Sequence, residues 1–181
     1  MGREVAQTTV TSLVRDYYAT PETWDTTVAL DRVIAAQNAW LASINRRRQP
    51  AMGLTTLTAL VLCGQFYTVA HVGDSRAYLL RDGELLQLTH DHVMSHPDFK
   101  HQLLRSVGAE DYVVVDYLQG ELLVGDVFVL VTDGVHHRPR QNGTGGDETP
   151  NSPSASAQDR NRSATNSIAS RAGVASAKDN L

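Results

Sequence analysis

In residues 4–17 the apolar side chains Val5, Val10, Leu13, Val14 and Tyr17 return at mostly three-to-four spacing, which predicts an amphipathic helix. Thr20-Pro21 ends it, because a residue before proline is pushed out of the helical region. A second helix is predicted from Asp25 or Thr26 as N-cap, burying Ala29, Val33, Ile34, Leu41 and Ile44 and stopping before Gln49-Pro50. Its apolar stripe is broad, the width suited to lying on a sheet. After Gly53 the pattern changes to short runs rich in β-branched residues and bounded by turn residues. Residues 57–63, 66–72, 77–80, 85–88, 113–118 and 127–131 are therefore predicted strands. Cys63-Gly64 and Asp82-Gly83 are tight-turn dipeptides between such runs, so both predict antiparallel hairpins. Residues 98–106 offer a short helix, with Pro97 ahead of it and Gly108 as its stop.

Residues 138–163 break this pattern. They are Gly, Pro, Ser, Thr, Asn and Gln with almost nothing apolar, so they cannot bury enough surface to offset their ordering entropy. The expected organisation is a globular domain over 1–137, a disordered polar tail over 138–164, and a weakly helical segment over 165–181, the first and last being parts of one incomplete domain by the resemblance given below.

Composition narrows the function. A chain of 181 residues with 41% hydrophobic content can build one core. A formal net charge of -4 offers no footprint for nucleic acid or an anionic membrane. The short basic run Arg46-Arg47-Arg48 reads as a solvated helix end, where cations suit the dipole. The single cysteine, Cys63, lies in an apolar run and is expected to be a buried, reduced thiol. With no bilayer-length apolar stretch and no signal-peptide core after Met1, the expected setting is cytoplasmic.

The candidate chemistry sits at two strand ends. His71-Val72-Gly73-Asp74-Ser75-Arg76 and Val131-Thr132-Asp133-Gly134 each place an aspartate where an apolar run stops and a glycine lets the backbone turn. With Asp179 near the C-terminus, these hard oxygen donors suit Mg2+ or Mn2+, ions that assist phosphate ester hydrolysis. The same residues also read as turn aspartates accepting backbone N–H bonds. His90, His92, His96 and His101 lie within a short span, but a zinc site needs three ligands with oriented partners, and a turn role is the simpler reading. His136 and His137, which follow the second aspartate, are placed to contact a substrate, but exposed loop histidines are the simpler reading.

At these residues the chain resembles a family. Val72-Gly73-Asp74-Ser75-Arg76-Ala77-Tyr78 is similar to the signature of the metal-dependent protein phosphatases of type 2C, the PPM family. Gly53-Leu54-Thr55-Thr56 resembles the family's strand entry, Leu88-Thr89-His90-Asp91-His92 its Leu-Thr-x-Asp-His turn, and Leu104-Arg105-Ser106-Val107-Gly108 its Thr-Arg-x-x-Gly segment. Thr132-Asp133-Gly134 resembles the Ser-Asp-Gly motif, and Lys178-Asp179-Asn180 the closing Asp-Asn. The opening, around Asp16-Tyr17-Tyr18, looks most like the phosphatase part of bacterial kinase/phosphatase fusions.

The resemblance implies an α+β fold, a four-layer αββα sandwich of two antiparallel sheets between helix pairs, incomplete here at both ends. It implies Mn2+ or Mg2+ held by Asp133 and Asp179, with Asp74 at an accessory metal, Gly73 and Gly134 supporting the turns, and metal-bound water as nucleophile. Arg76 is expected to anchor a turn. The implied activity is hydrolysis of phosphoserine or phosphothreonine on proteins, as part of signalling opposite a cognate serine/threonine kinase. Measured against the family, the chain starts after the first acidic strand, the bridging Asp-Gly segment and the phosphate-holding arginine. The expectation is thus a truncated domain of impaired turnover, with a catalytically inactive binding module or fragment as the alternative.

Overall fold

The computed structural model describes residues 2–94 and 103–132. The chain runs α1 (Gly2–Tyr18), α2 (Thr26–Arg47), β1 (Leu57–Cys63), β2 (Phe66–Val72), β3 (Arg76–Arg81), β4 (Glu84–Gln87), β5 (Asp116–Glu121) and β6 (Val127–Val131). Asp25 caps α2 as expected, its Oδ1 accepting from Thr27 N–H at 2.8 Å. Arg46 and Arg47 occupy the last turn.

The strands form two antiparallel sheets, ordered β1-β2-β5 and β4-β3-β6. The period of two along a strand divides the core cleanly. On β2, Ala70 and Val72 face the helices and join Leu57, Leu30, Val33, Ile34 and Leu41. Tyr67 and Val69 face the other sheet and meet Ala77 and Leu79 of β3, with Leu60 and Phe128 beside them. Helices, first sheet and second sheet are thus three layers in order among the described residues. Polar ties reinforce the outer pair, since Gln119 on β5 donates to Thr27 on α2 at 2.9 Å and Tyr117 donates to Asp31 at 3.2 Å. At the end of the second sheet away from residues 73–75, Arg81 holds Asp126 through two 2.7 Å bonds, and this pairing keeps the Asp126 carboxyl below its ordinary range.

Several expectations change. In α1 the buried positions are Val5, Thr9 and Leu13, one turn apart, whereas Val10 and Val14 are about half exposed. The threonine satisfies the i, i+4 row that the two valines miss. In α2 Ile44 is only partly buried, and Asn38 occupies a core position instead. Cys63 is exposed, not buried, because it ends an outer strand at the hairpin turn. The fifth strand begins at Asp116 and runs to Glu121, three residues later than the apolar run suggests. Its register against Phe66–Val72 decides the matter, while Val113 and Val115 pack on the core from outside the ladder. Of the short helix expected over 98–106, Leu103 instead bridges to Val93, and residues 95–102 lie outside the described residues. The tail and the C-terminal remnant lie outside them as well.

Candidate functional site

One rim of the sandwich collects the residues singled out above. Antiparallel pairing sets the start of β1 beside the end of β2, through Leu57 and Val72, and the start of β5 beside His71. In the second sheet Arg76, opening β3, pairs with Val131, closing β6. The turn Gly73-Asp74-Ser75 and the outgoing residue Thr132 therefore stand at the same end of the second sheet.

Gly73 is fixed there by backbone and sterics together. Its φ is +115°, and an added Cβ would fall 2.4 Å from the Thr56 Cγ2 and 2.6 Å from its Cβ. Next to it, Thr56 and Ser75 join through their hydroxyls at 3.1 Å. Arg76 anchors the adjoining turn as expected. Its Nε and Nη2 reach the two Asp91 carboxylate oxygens at 2.8 and 2.6 Å, and that bidentate bond raises the guanidinium above its already high range. Ala77 N–H donates to Thr89 Oγ1 at 3.1 Å, so residues 89–92 are strapped across the start of β3.

Behind the rim lies a pair of buried histidines, their ring centroids 4.9 Å apart. His71 Nε2 is 3.1 Å from both the Gly73 and the His90 carbonyls, so it carries the proton, and Nδ1 accepts from Thr58 Oγ1 at 2.9 Å. Burial, then the nearby His92 ring, pulls the His71 imidazole below its ordinary range, and the two carbonyls only partly offset this. His92 Nδ1 accepts from Gly73 N–H at 3.1 Å, leaving Nε2 to donate to Asp116 Oδ2 at 2.9 Å. Arg105 donates to Asp116 Oδ1 at 2.9 Å. Burial works to raise the Asp116 carboxyl, but the bonds from His92 and Arg105 outweigh it and hold the group below the ordinary range.

Of the predicted metal residues, the described region contains Asp74, half-buried, with Gly73 beside it. Asp133, Asp179 and Gly134 lie outside the described residues, as do His96, His101, His136 and His137. Asp74 fits one oxygen ligand of a hard divalent cation, held on a rigid turn at a sheet rim. Among the described residues no group of three or more His, Cys, Asp or Glu is placed to hold a metal by itself. His90 and His92 are engaged in the strap between the sheets, consistent with a turn role.

Sequence reasoning missed Asp116 and His71. Each is a lone polar residue inside an apolar strand run, Val113-Val114-Val115-Asp116 and Val69-Ala70-His71-Val72, and that isolation was the available signal. It missed Asn38 and Asn45 too, seven residues apart on α2. Asn38 donates to the Glu110 and Asp111 carbonyls at 2.9 and 3.1 Å and accepts from Gly108 N–H at 2.8 Å. Asn45 donates to the Gly53 and Gly108 carbonyls, each at 2.9 Å.

A family model for Protein phosphatase 2C matches residues 1–169. The chain is 31% identical over 128 residues to the serine/threonine protein phosphatase PstP of Mycobacterium tuberculosis, covering 61% of this chain and 24% of that protein. It is 32% identical over 131 residues to the serine/threonine phosphatase Stp of Listeria monocytogenes, covering 63% of this chain and 50% of that one. The fold is similar to the solved catalytic domain of PstP in complex with two manganese ions. The TM-score is 0.63 at 29% identity, over 74% of this chain and 62% of that chain. The chain therefore spans between a quarter and a half of the length of these curated relatives.

Proposed function

The chain belongs to the protein phosphatase 2C family, and from that premise we propose that it carries the metal-dependent hydrolysis of phosphoserine and phosphothreonine on proteins. The observation that supports it most is the β3–β6 register. Pairing Arg76 with Val131 brings the residue that precedes Asp133 to the rim where Asp74 stands. Asp133, Asp179 and Asp74 are the proposed ligands of Mn2+ or Mg2+, ions that the family uses. When bound, such ions neutralise phosphate charge and activate a water for in-line attack. The chain's own share is positional: Gly73 sets the turn, Thr56 and Ser75 brace it, and Arg76 with Asp91 fixes the strand behind it.

Phosphorylated proteins are the proposed substrates, opposite a serine/threonine kinase and in the cytoplasm. Among the described residues no helix is long and apolar enough to cross a membrane.

The test is turnover of p-nitrophenyl phosphate by the purified chain with Mn2+. We expect slow, chelator-sensitive hydrolysis that Asp133→Ala lowers at least a hundredfold, as loss of a ligand carboxylate from a metal site should. Absence of Mn2+-dependent turnover at all protein concentrations supports the inactive binding module instead.

A further inference from the structure

Gly73 has two polar backbone groups, and His92 engages both, the N–H through its ring and the carbonyl, which it shares with His71 Nε2, through its main chain. The ring accepts from Gly73 N–H at 3.1 Å, while His92 N–H donates to the Gly73 carbonyl at 2.7 Å. On its other side Gly73 abuts Thr56, so the peptide has little room to turn away. His92 is itself held on two sides. Its carbonyl accepts from Leu104 N–H at 2.8 Å, and its Nε2 is tied to Asp116, whose second oxygen binds Arg105.

The orientation of this ring is chemically specified. Asp116 accepts only from the protonated nitrogen, which leaves the unprotonated one toward Gly73 N–H. Exchange the tautomer and both bonds are lost. Asp116 and Arg105 are each partly exposed, whereas the His92 side chain is 7% exposed, so the chain of bonds runs from the surface inward to the turn.

We propose that His92, oriented by Asp116, is a positioning residue whose ring fixes the Val72–Gly73 amide, and with it the turn that sets the place of the Asp74 carboxylate. This rests on the reading of Asp74 as a metal ligand. It extends that reading to a residue that touches neither the cation nor the substrate.

The ring's two nitrogens give the test its resolution. Asn carries an acceptor near the Nδ1 position, and Gln reaches the Nε2 position. His92→Asn keeps the bond to Gly73, while His92→Gln keeps the bond to Asp116. Mn2+ isotherms are measured calorimetrically on the full chain, with melting temperatures taken without metal. We expect His92→Gln to weaken Mn2+ binding about tenfold, as loss of an outer orienting partner does, and His92→Asn to stay within about twofold at similar melting temperature. Equal effects of Asn and Gln, or no effect of either while Asp74→Asn weakens binding, overturn the positioning role and leave the metal reading standing. An isotherm untouched by Asp74→Asn, or no Mn2+ binding by the parent chain, brings down the metal reading and this role with it. If His92→Gln does not fold, Asp116→Ala replaces it, and an unchanged isotherm for that variant overturns the proposal.

Discussion

His71 shows how a single buried group sets a pH limit. The residue is 1% exposed, and all of its ring's hydrogen-bonding capacity is used in the neutral form, with Nε2 donating to two carbonyls and Nδ1 accepting from Thr58. Protonation would turn Nδ1 from an acceptor of the Thr58 hydroxyl into a donor and set a charge against the His92 ring. The folded-state pKa is therefore depressed, while the unfolded chain titrates near about 6.5. Below about pH 6.5 the unfolded state binds more protons than the native state, so stability present above that pH is lost as the pH falls. Melting temperature should drop between pH 7.5 and 5.5, and His71→Gln should flatten the drop while lowering the plateau. A melting temperature that is constant or rises on acidification contradicts this. Asp116 acts further down the scale: its depressed pKa means its contribution is present above about pH 4 and lost as the pH falls through the lower folded value.

At the scale of elements, α2 does more than cover a sheet. Its Asn38 side chain binds three backbone groups of residues 108–111, and the one with most at stake is Gly108 N–H, which is buried. In Asn38→Ala the Glu110 and Asp111 carbonyls are exposed enough to regain water, but the Gly108 amide is left without a partner. Such a group costs about 1–3 kcal/mol. We expect a loss of about 2 kcal/mol in urea unfolding with an unchanged slope, and a loss under about 0.5 kcal/mol would count against the clamp. Gly108 itself has φ +88° and lies against Leu41, where a Cβ would come within 2.4 Å of Cγ, which fixes how closely the loop approaches the helix. These clamps explain what was legible. The helices, both hairpins and the strands at Leu57–Cys63, Phe66–Val72 and Val127–Val131 follow from period and turn chemistry, both local signals. The start of β5 does not, because Val113-Val114-Val115 and Tyr117-Leu118 read as one apolar run broken only by Asp116, and only pairing with β2 selects Asp116 as the first residue. At the rim, the Asp74 turn was readable from Gly73 and the strand end. Its support by His92, Asp116 and Arg105 was not, since that depends on residues brought together from β5 and two loops.

For the molecule as a whole, the outer edge of β1 decides how the chain behaves in solution. Among the described residues β1 pairs on one side only, with β2. Its sequence, Leu57-Thr58-Ala59-Leu60-Val61-Leu62-Cys63, has no charge and no proline, the devices that ordinarily blunt an edge strand. A groove of about 470 Å³ between this strand and α1 adds apolar surface from Val10, Val14 and Tyr18. An edge of this kind offers backbone donors and acceptors flanked by apolar side chains, so the favoured occupant in a pure solution is another copy. Scattered light and elution volume should report association that grows with concentration. Leu62, 42% exposed near the end of the strand, is the position to test. Leu62→Lys adds a charge to the edge and removes little buried area, so it should raise the concentration at which association begins several-fold while shifting unfolding free energy by less than about 0.5 kcal/mol. Association that persists unchanged in this variant would mean that copies meet elsewhere, and the apolar row on α1 would be the next surface to charge.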